Sequence, residues 1–135
     1  MAGNFSNYGR EDIASLIANN KTLYVGLATE VITNTDDLST ITEEDDVNYS
    51  RQAVTLGNIT NDGNDNIVLQ NTTVVEFPQY SADADNPVKY VFLTESQTGT
   101  TGEVYAFGEL TEYKSAVAGD KLAYDVGDLN FYLNA

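Results

Sequence analysis

The sequence predicts an all-β protein, a single antiparallel β-sandwich or jelly-roll-like barrel of about eight strands with a short N-terminal helix. Three observations predict it. From residue 21 onward, apolar residues mostly alternate with polar ones, the period of a half-buried strand. Turn signals rich in Gly, Asn and Asp recur every ~8 to 12 residues. Only one segment has helical spacing, so we expect an N-terminal arm and helix at 1–20, followed by one β-sandwich domain at 21–135.

Residues 9–20 predict the helix. Ile13, Leu16 and Ile17 recur at the spacing of one helical face and form an apolar stripe. The expected first turn contains two acidic side chains that suit the positive end of the helix dipole, Glu11 and Asp12. Because so short a helix is marginal alone, we expect it to dock on its own sheet or on a neighbouring subunit.

The strands follow in order along the rest of the chain. Gly26, inside the first, indicates close packing or a bulge, and Pro78 ends a strand because proline cannot donate to the ladder. Between strands, residues 33–48 predict a long exposed loop, and residues 58–66 predict a break. We predict strands over residues 22–28, 49–56, 67–69, 72–77, 89–94, 104–110, 113–117, 122–126 and 129–133.

The last two strands have the clearest alternation, and each follows a Gly-Asp turn. We expect these apolar residues to share the buried face of their strand: Leu122, Tyr124 and Val126, then Leu129, Phe131 and Leu133. Because the sequence finishes on such a strand, we expect the strand to be paired within a sheet or held in an assembly.

Composition excludes several functions. The formal charge of −15 opposes binding to nucleic acid and to anionic membrane surfaces. No apolar run approaches the ~18 residues that cross a bilayer, and the first residues lack the pattern of a signal peptide. The chain has neither cysteine nor histidine, so it lacks thiolate catalysis, a Ser-His-Asp triad and the usual transition-metal ligands. We therefore expect no enzyme, no catalytic residues and no cofactor.

Two acidic segments suggest cation binding at first sight. In Asn61–Asn66 the side-chain oxygens are spaced in part like those of an EF-hand calcium loop that begins at Asp62. The match then fails, because Ile67 stands where glycine is required and Thr73 where a bidentate Glu is needed. We interpret this segment as an Asn/Gly-rich turn. The four consecutive carboxylates of Glu43–Asp46 point in different directions along the chain and predict a solvated loop. No metal site is expected at either place.

The chain has nine tyrosines, which could offer a sugar-binding surface because their rings stack and their hydroxyls hydrogen-bond. Five lie within predicted strands, where aromatic rings pack across a pleated face, and for these we expect core or interface packing: Tyr24, Tyr90, Tyr105, Tyr124 and Tyr132.

In its order of segments, the sequence resembles a family of small tailed-bacteriophage virion proteins, commonly labelled tail-fibre-like or minor structural proteins. The resemblance covers nearly the whole chain, with a short helix followed by Leu23–Thr29, Tyr49–Thr55, Val75–Pro78, Phe107–Leu110 and Val117–Asp120. It implies a passive, repeated subunit located in the virion and assembled in the host cytoplasm, with other virion proteins as partners. It implies no catalytic motif, and the acidic loop at 33–48 departs from the usual pattern.

Three duties stay open. A capsid decoration (cement) protein would dock in many copies on the major capsid protein, as a homo-oligomer and preferably a trimer. We favour this duty, because 135 residues leave no shaft or separate receptor-binding head. A small tail or tail-fibre component that contacts the host surface, and a carbohydrate-binding module, are the alternatives. In the decoration hypothesis the arm is the anchor, with apolar contacts from Phe5, Tyr8, Ile13, Leu16 and Ile17.

Overall fold

The computed structural model describes residues 1–134, and within them the chain forms one helix and nine strands. Within these residues the strands pair only in antiparallel ladders. They form sheets of four, three and two strands, ordered β2-β1-β6-β7, β3-β4-β9 and β5-β8. Their bounds are α1 Asn7–Asn20, β1 Leu23–Ala28, β2 Gln52–Val54, β3 Leu56–Asn61, β4 Asn66–Asn71, β5 Val75–Glu76, β6 Val88–Thr94, β7 Ala106–Lys114, β8 Ala123–Tyr124 and β9 Asn130–Asn134.

The two larger sheets form a sandwich, which confirms the all-β prediction. On one side they are joined directly, because Thr55 alone separates β2 from β3. On the other side the edge strands β7 and β9 approach each other but belong to different sheets. The barrel is therefore not closed.

The main core lies between the sheets. Alternate residues of β1 and β6, such as Val25 and Leu93, pack against β4 and β9 residues such as Leu69 and Phe131. The small β5-β8 sheet adds Val75 and Tyr124 to the same core. Because the inward face repeats every second residue, this core follows from the alternation in the sequence.

A second, smaller core lies on the outer face of the four-stranded sheet, where Ile32 and Leu38 pack over Phe92. The prediction that residues 33–48 form an exposed loop is therefore wrong in part, since this segment covers a sheet face. Gly26 makes that packing possible, because a Cβ at this position would lie 2.1 Å from Phe92 Cζ. Close packing, and not a bulge, explains the glycine.

Several predicted strand limits were wrong. Residues 58–61 belong to β3, so the break expected at 58–66 shrinks to a tight turn at 62–65. The strand expected at 113–117 does not exist by itself, because β7 continues through Tyr113 to Lys114. Val126 does not share the buried face with Tyr124 but is 53 % exposed, in the turn before β9. The alternation of Leu129, Phe131 and Leu133 with exposed polar residues is confirmed.

Helix α1 begins two residues earlier than predicted. The side chain of Ser6 caps it by accepting a hydrogen bond of 3.2 Å from the Gly9 amide. Glu11 and Asp12 consequently lie beyond the first turn, which contains no acidic residue, so the expected dipole contact is wrong. No helix within residues 1–134 has the length and apolar character needed to span a membrane.

Candidate docking surface

Helix α1 packs on β3 and β4 of the three-stranded sheet. Arg10 and Ala14 are buried on its inner face, and Ile13 and Ile17 are half-buried beside them. Residues at i, i+4 and i+7 share one face of a helix, so this set faces the body. The helix therefore docks on its own sheet, one of the two alternatives expected.

Arg10 ties the arm to the body. Its Nη1 donates to the Phe5 carbonyl at 3.0 Å, and its Nη2 donates to the Asp65 carbonyl at 2.8 Å and to Asn7 Oδ1. The guanidinium is buried, yet within residues 1–134 it pairs with no carboxylate. Sequence reasoning missed this residue, although its spacing to Ala14 and Ile17 places it on the inner face.

The outward residues of the arm form what we call the arm surface: Phe5, Tyr8 and Leu16. These are 69, 79 and 55 % exposed, respectively. Tyr8 and Leu16 are two turns apart on the outer side of the helix, and the Phe5 ring lies against Gly9. Of the five predicted anchoring residues, the structure thus leaves these three exposed at the surface, and Ile13 and Ile17 are half-buried towards the body.

A partly buried ion pair between Arg51 and Glu43 fixes the loops at one end of the sandwich. Arg51 donates to both carboxylate oxygens of Glu43, at 2.9 and 2.7 Å, and to the carbonyls of Ser96 and Gly99, at 2.8 and 2.7 Å. The side chain of Arg51 is only 4 % exposed. Tyr49 also donates to Glu43, and its burial raises the pKa of its hydroxyl well above the ordinary value.

The neighbouring residue, Glu44, has a structural role as well. Glu44 is buried and accepts a hydrogen bond of 2.8 Å from the Tyr80 hydroxyl. Burial and this carboxylate raise the pKa of Tyr80 above its ordinary value. The prediction that Glu43–Asp46 is a solvated loop is therefore wrong for Glu43 and Glu44, which hold other segments in place.

The Asn61–Asn66 segment contains the turn of the β3-β4 hairpin, as predicted, and its first and last residues belong to the two strands. Asp62 accepts hydrogen bonds from the Asn66 side chain and from the Asn64 amide, and these lower the pKa of its carboxyl. Gly63 and Asp65 adopt positive φ angles of 84° and 64°, which tight turns need. Nowhere in residues 1–134 do three or more acidic side chains group as a metal ion would need.

The five tyrosines of the predicted strands differ in burial. Tyr124 is buried in the main core, as predicted, and Tyr24 and Tyr90 are half-buried. Tyr105 and Tyr132 are 41 and 60 % exposed, so core packing is wrong for these two, and interface packing stays a prediction.

Two comparisons with known proteins bear on the whole chain. None of the curated proteins shows significant similarity to it. The family model described as Podophage GP4 fiber I protein gp80 matches residues 4–132, which include all of α1 and all strands up to the middle of β9. The chain therefore belongs to this family, and it is a tail-fibre-like structural protein of the bacteriophage virion.

Proposed function

We propose that the protein is a non-enzymatic component of the tail fibre and is held there by its arm surface. The description of the matched family supports a fibre location over the capsid decoration that the short chain favoured. The observation that carries the attachment is the exposure of Phe5, which lies just before the helix, and of Tyr8 and Leu16 on the helix, whose other face is occupied by the body. Two of these three residues, Phe5 and Tyr8, are aromatic, and aromatic residues are enriched at protein interfaces.

The fixed position of the arm supports its use as an anchor. Arg10 joins the Phe5 carbonyl to the β3-β4 turn, so the aromatic ring is presented by an element that is already ordered. An interface that is ordered before binding loses less conformational entropy on association. Because the net charge is −15, electrostatics favour a partner surface that is basic or neutral. The same charge opposes close contact between two copies of the chain unless a partner shields it.

The first test changes the arm surface by Phe5→Ser, Tyr8→Ser and Leu16→Ser together. Because each side chain is exposed, the variant should fold normally. Because it lacks the apolar contacts of the arm surface, it should fail to join particles when it is produced during infection. The matched control changes three exposed valines outside the arm, Val47→Ser, Val74→Ser and Val126→Ser. Normal incorporation of the arm variant, measured by immunoblot of purified particles, would reject the arm surface as the anchor.

The second test concerns location. Particles are separated into heads without tails and complete virions, and each fraction is probed for the protein. The fibre proposal expects the protein only where tails are present. Its recovery with tailless heads would instead support capsid decoration, and binding of the isolated protein to a glycan array would support a carbohydrate-binding module.

A further inference from the structure

The two arginines of the chain, Arg10 and Arg51, are both buried, but only one of them has a counter-charge. Arg51 donates two hydrogen bonds to the carboxylate of Glu43. Arg10 instead donates three hydrogen bonds, all to neutral oxygens, and within residues 1–134 it forms no ion pair. Burying a charge without a partner of opposite sign is costly. The contrast with Arg51 therefore indicates that Arg10 takes its counter-charge from outside these residues.

The guanidinium of Arg10 also has unused donors. It carries five N–H groups, of which its three hydrogen bonds use three. Its Nε is buried, and among the described residues it has no hydrogen-bond partner. Arg10 lines a pocket of about 220 Å³ between the arm and the end of β9, which we call the Arg10 pocket. An anion is the kind of group that would satisfy both the charge and the free donors.

The rest of the lining favours a small anion with a single charge. Phe5, Ile13 and Leu133 make the Arg10 pocket largely apolar, and Asn4 and Asn134, both exposed, add side-chain amides. A carboxylate suits this lining, because it accepts hydrogen bonds from a guanidinium and from amides at the same time. A phosphate group would bring close to two negative charges, and a single guanidinium neutralises only one of them.

We propose that the Arg10 pocket receives the carboxylate of an Asp or Glu side chain of the protein on which the arm docks. Phe5 belongs to the arm surface and also lines the pocket, so one partner surface can contact both. A partner surface that is neutral or basic apart from this acidic side chain is compatible with the net charge of −15. The inference rests on the proposed function for the source of the carboxylate, whereas carboxylate binding itself is testable without a partner.

Nuclear magnetic resonance of the isolated, isotope-labelled protein tests the pocket, with sodium acetate as the probe. Each arginine gives one Nε–H signal, so the Arg51 signal is an internal reference. Acetate added at constant ionic strength, balanced by chloride, should shift the Arg10 signal downfield until the shift saturates. The Arg51 signal should stay in place, because its Nε already donates to Glu43 at 2.9 Å. No saturable shift of the Arg10 signal, or equal shifts of both signals, would overturn the proposal.

Two substitutions that each add one negative charge make this test specific. Asn4→Asp places a carboxylate in the lining of the Arg10 pocket, so the Arg10 signal should lie downfield without acetate and the response to acetate should be lost. Gln79→Glu adds the same charge at an exposed position outside the lining and should leave the signal and the response unchanged. Neither substitution touches a hydrogen bond of Arg10. The same behaviour in both variants would contradict carboxylate binding in the pocket.

The source of the carboxylate is tested in complete virions that contain the protein with a photoreactive benzoylphenylalanine in place of Phe5. After irradiation, mass spectrometry of the cross-linked peptides should find a segment of a different virion protein with Asp or Glu next to the cross-linked residue. A cross-link only to this chain, a cross-link to a segment without an acidic residue, or no cross-link would overturn the docking of a partner's carboxylate. The failures are distinguishable: normal incorporation of the arm variant rejects the anchor alone, and an absent acetate response rejects the Arg10 pocket alone.

Discussion

The contact between Gly26 and Phe92 allows a sharp test of the two-layer core. In Gly26→Ala, the new methyl carbon would lie 2.1, 2.5 and 2.7 Å from three carbons of the Phe92 ring. Carbon atoms in contact normally lie about 3.5 to 4 Å apart. The ring is fully buried under Ile32 and Leu38, so it cannot move aside without displacing that layer.

The expected cost of Gly26→Ala is about 3 kcal/mol, the upper end of the range for overpacking, because the clash involves a rigid ring. Phe92→Ala should cost about 3 to 5 kcal/mol by leaving a cavity. In the double variant the added methyl lies where the ring was. The double variant should therefore be no less stable than Phe92→Ala alone, which gives a coupling energy of about 3 kcal/mol.

Urea denaturation followed by circular dichroism measures these values. Gly108→Ala is the matched control, since its methyl would meet open space in a strand and should change stability by less than ~1 kcal/mol. Additive effects of the Gly26 and Phe92 substitutions, or a Gly26→Ala variant as stable as the parent, would refute the reasoning.

Three further predictions follow from buried polar groups. Arg51→Ala removes the donor to Glu43 and to the Ser96 and Gly99 carbonyls, while Glu43 is 21 % exposed and keeps the hydrogen bond from Tyr49, so the substitution should cost about 1 to 3 kcal/mol in urea denaturation, with faster hydrogen exchange in residues 95–103. Asn71, fully buried, donates to the Thr73 and Asp125 carbonyls at 2.8 and 2.9 Å and accepts from two amides, so Asn71→Ala should destabilise by about 3 kcal/mol or more, whereas Asn130→Ala at the surface should cost less than ~1 kcal/mol. The protein should lose stability as the pH rises above about 10, the ordinary pKa of tyrosine. Below that pH the stabilisation is fully present, because the raised pKa values of these buried tyrosines favour the protonated hydroxyl in the folded state. The residues responsible are Tyr49, Tyr80 and Tyr124, and the pKa of Tyr124 is raised to about 12. Absorbance at 295 nm measures the ionisation of tyrosine, and unfolding is followed in parallel.

Sequence patterns predicted those parts of the fold that depend on local periodicity. The alternation around Phe131 places β9 correctly, and the apolar spacing of Ile13 and Ile17 gives a helix with one inward side. The same spacing did not show that Leu16 faces outward, because the stripe is wider than the contact with β3 and β4.

What the sequence did not predict depends on contacts between distant segments. Residues 33–48 look like an exposed loop because most are polar, yet Leu38 meets Phe92 across more than fifty positions. Arg10 looks like a surface cation, but it is buried by the arm and the Asp65 turn. The register of β6 and β7, which places Gly108 beside Val91 at the end of an apolar row, is also invisible in the sequence.

Labelled-antibody microscopy of intact virions tests the central claim most directly. The protein is a structural subunit of the particle. The proposed location at the tail fibre predicts that gold label is found on the fibres and is lost with the arm variant. Label distributed over the head would contradict the fibre location.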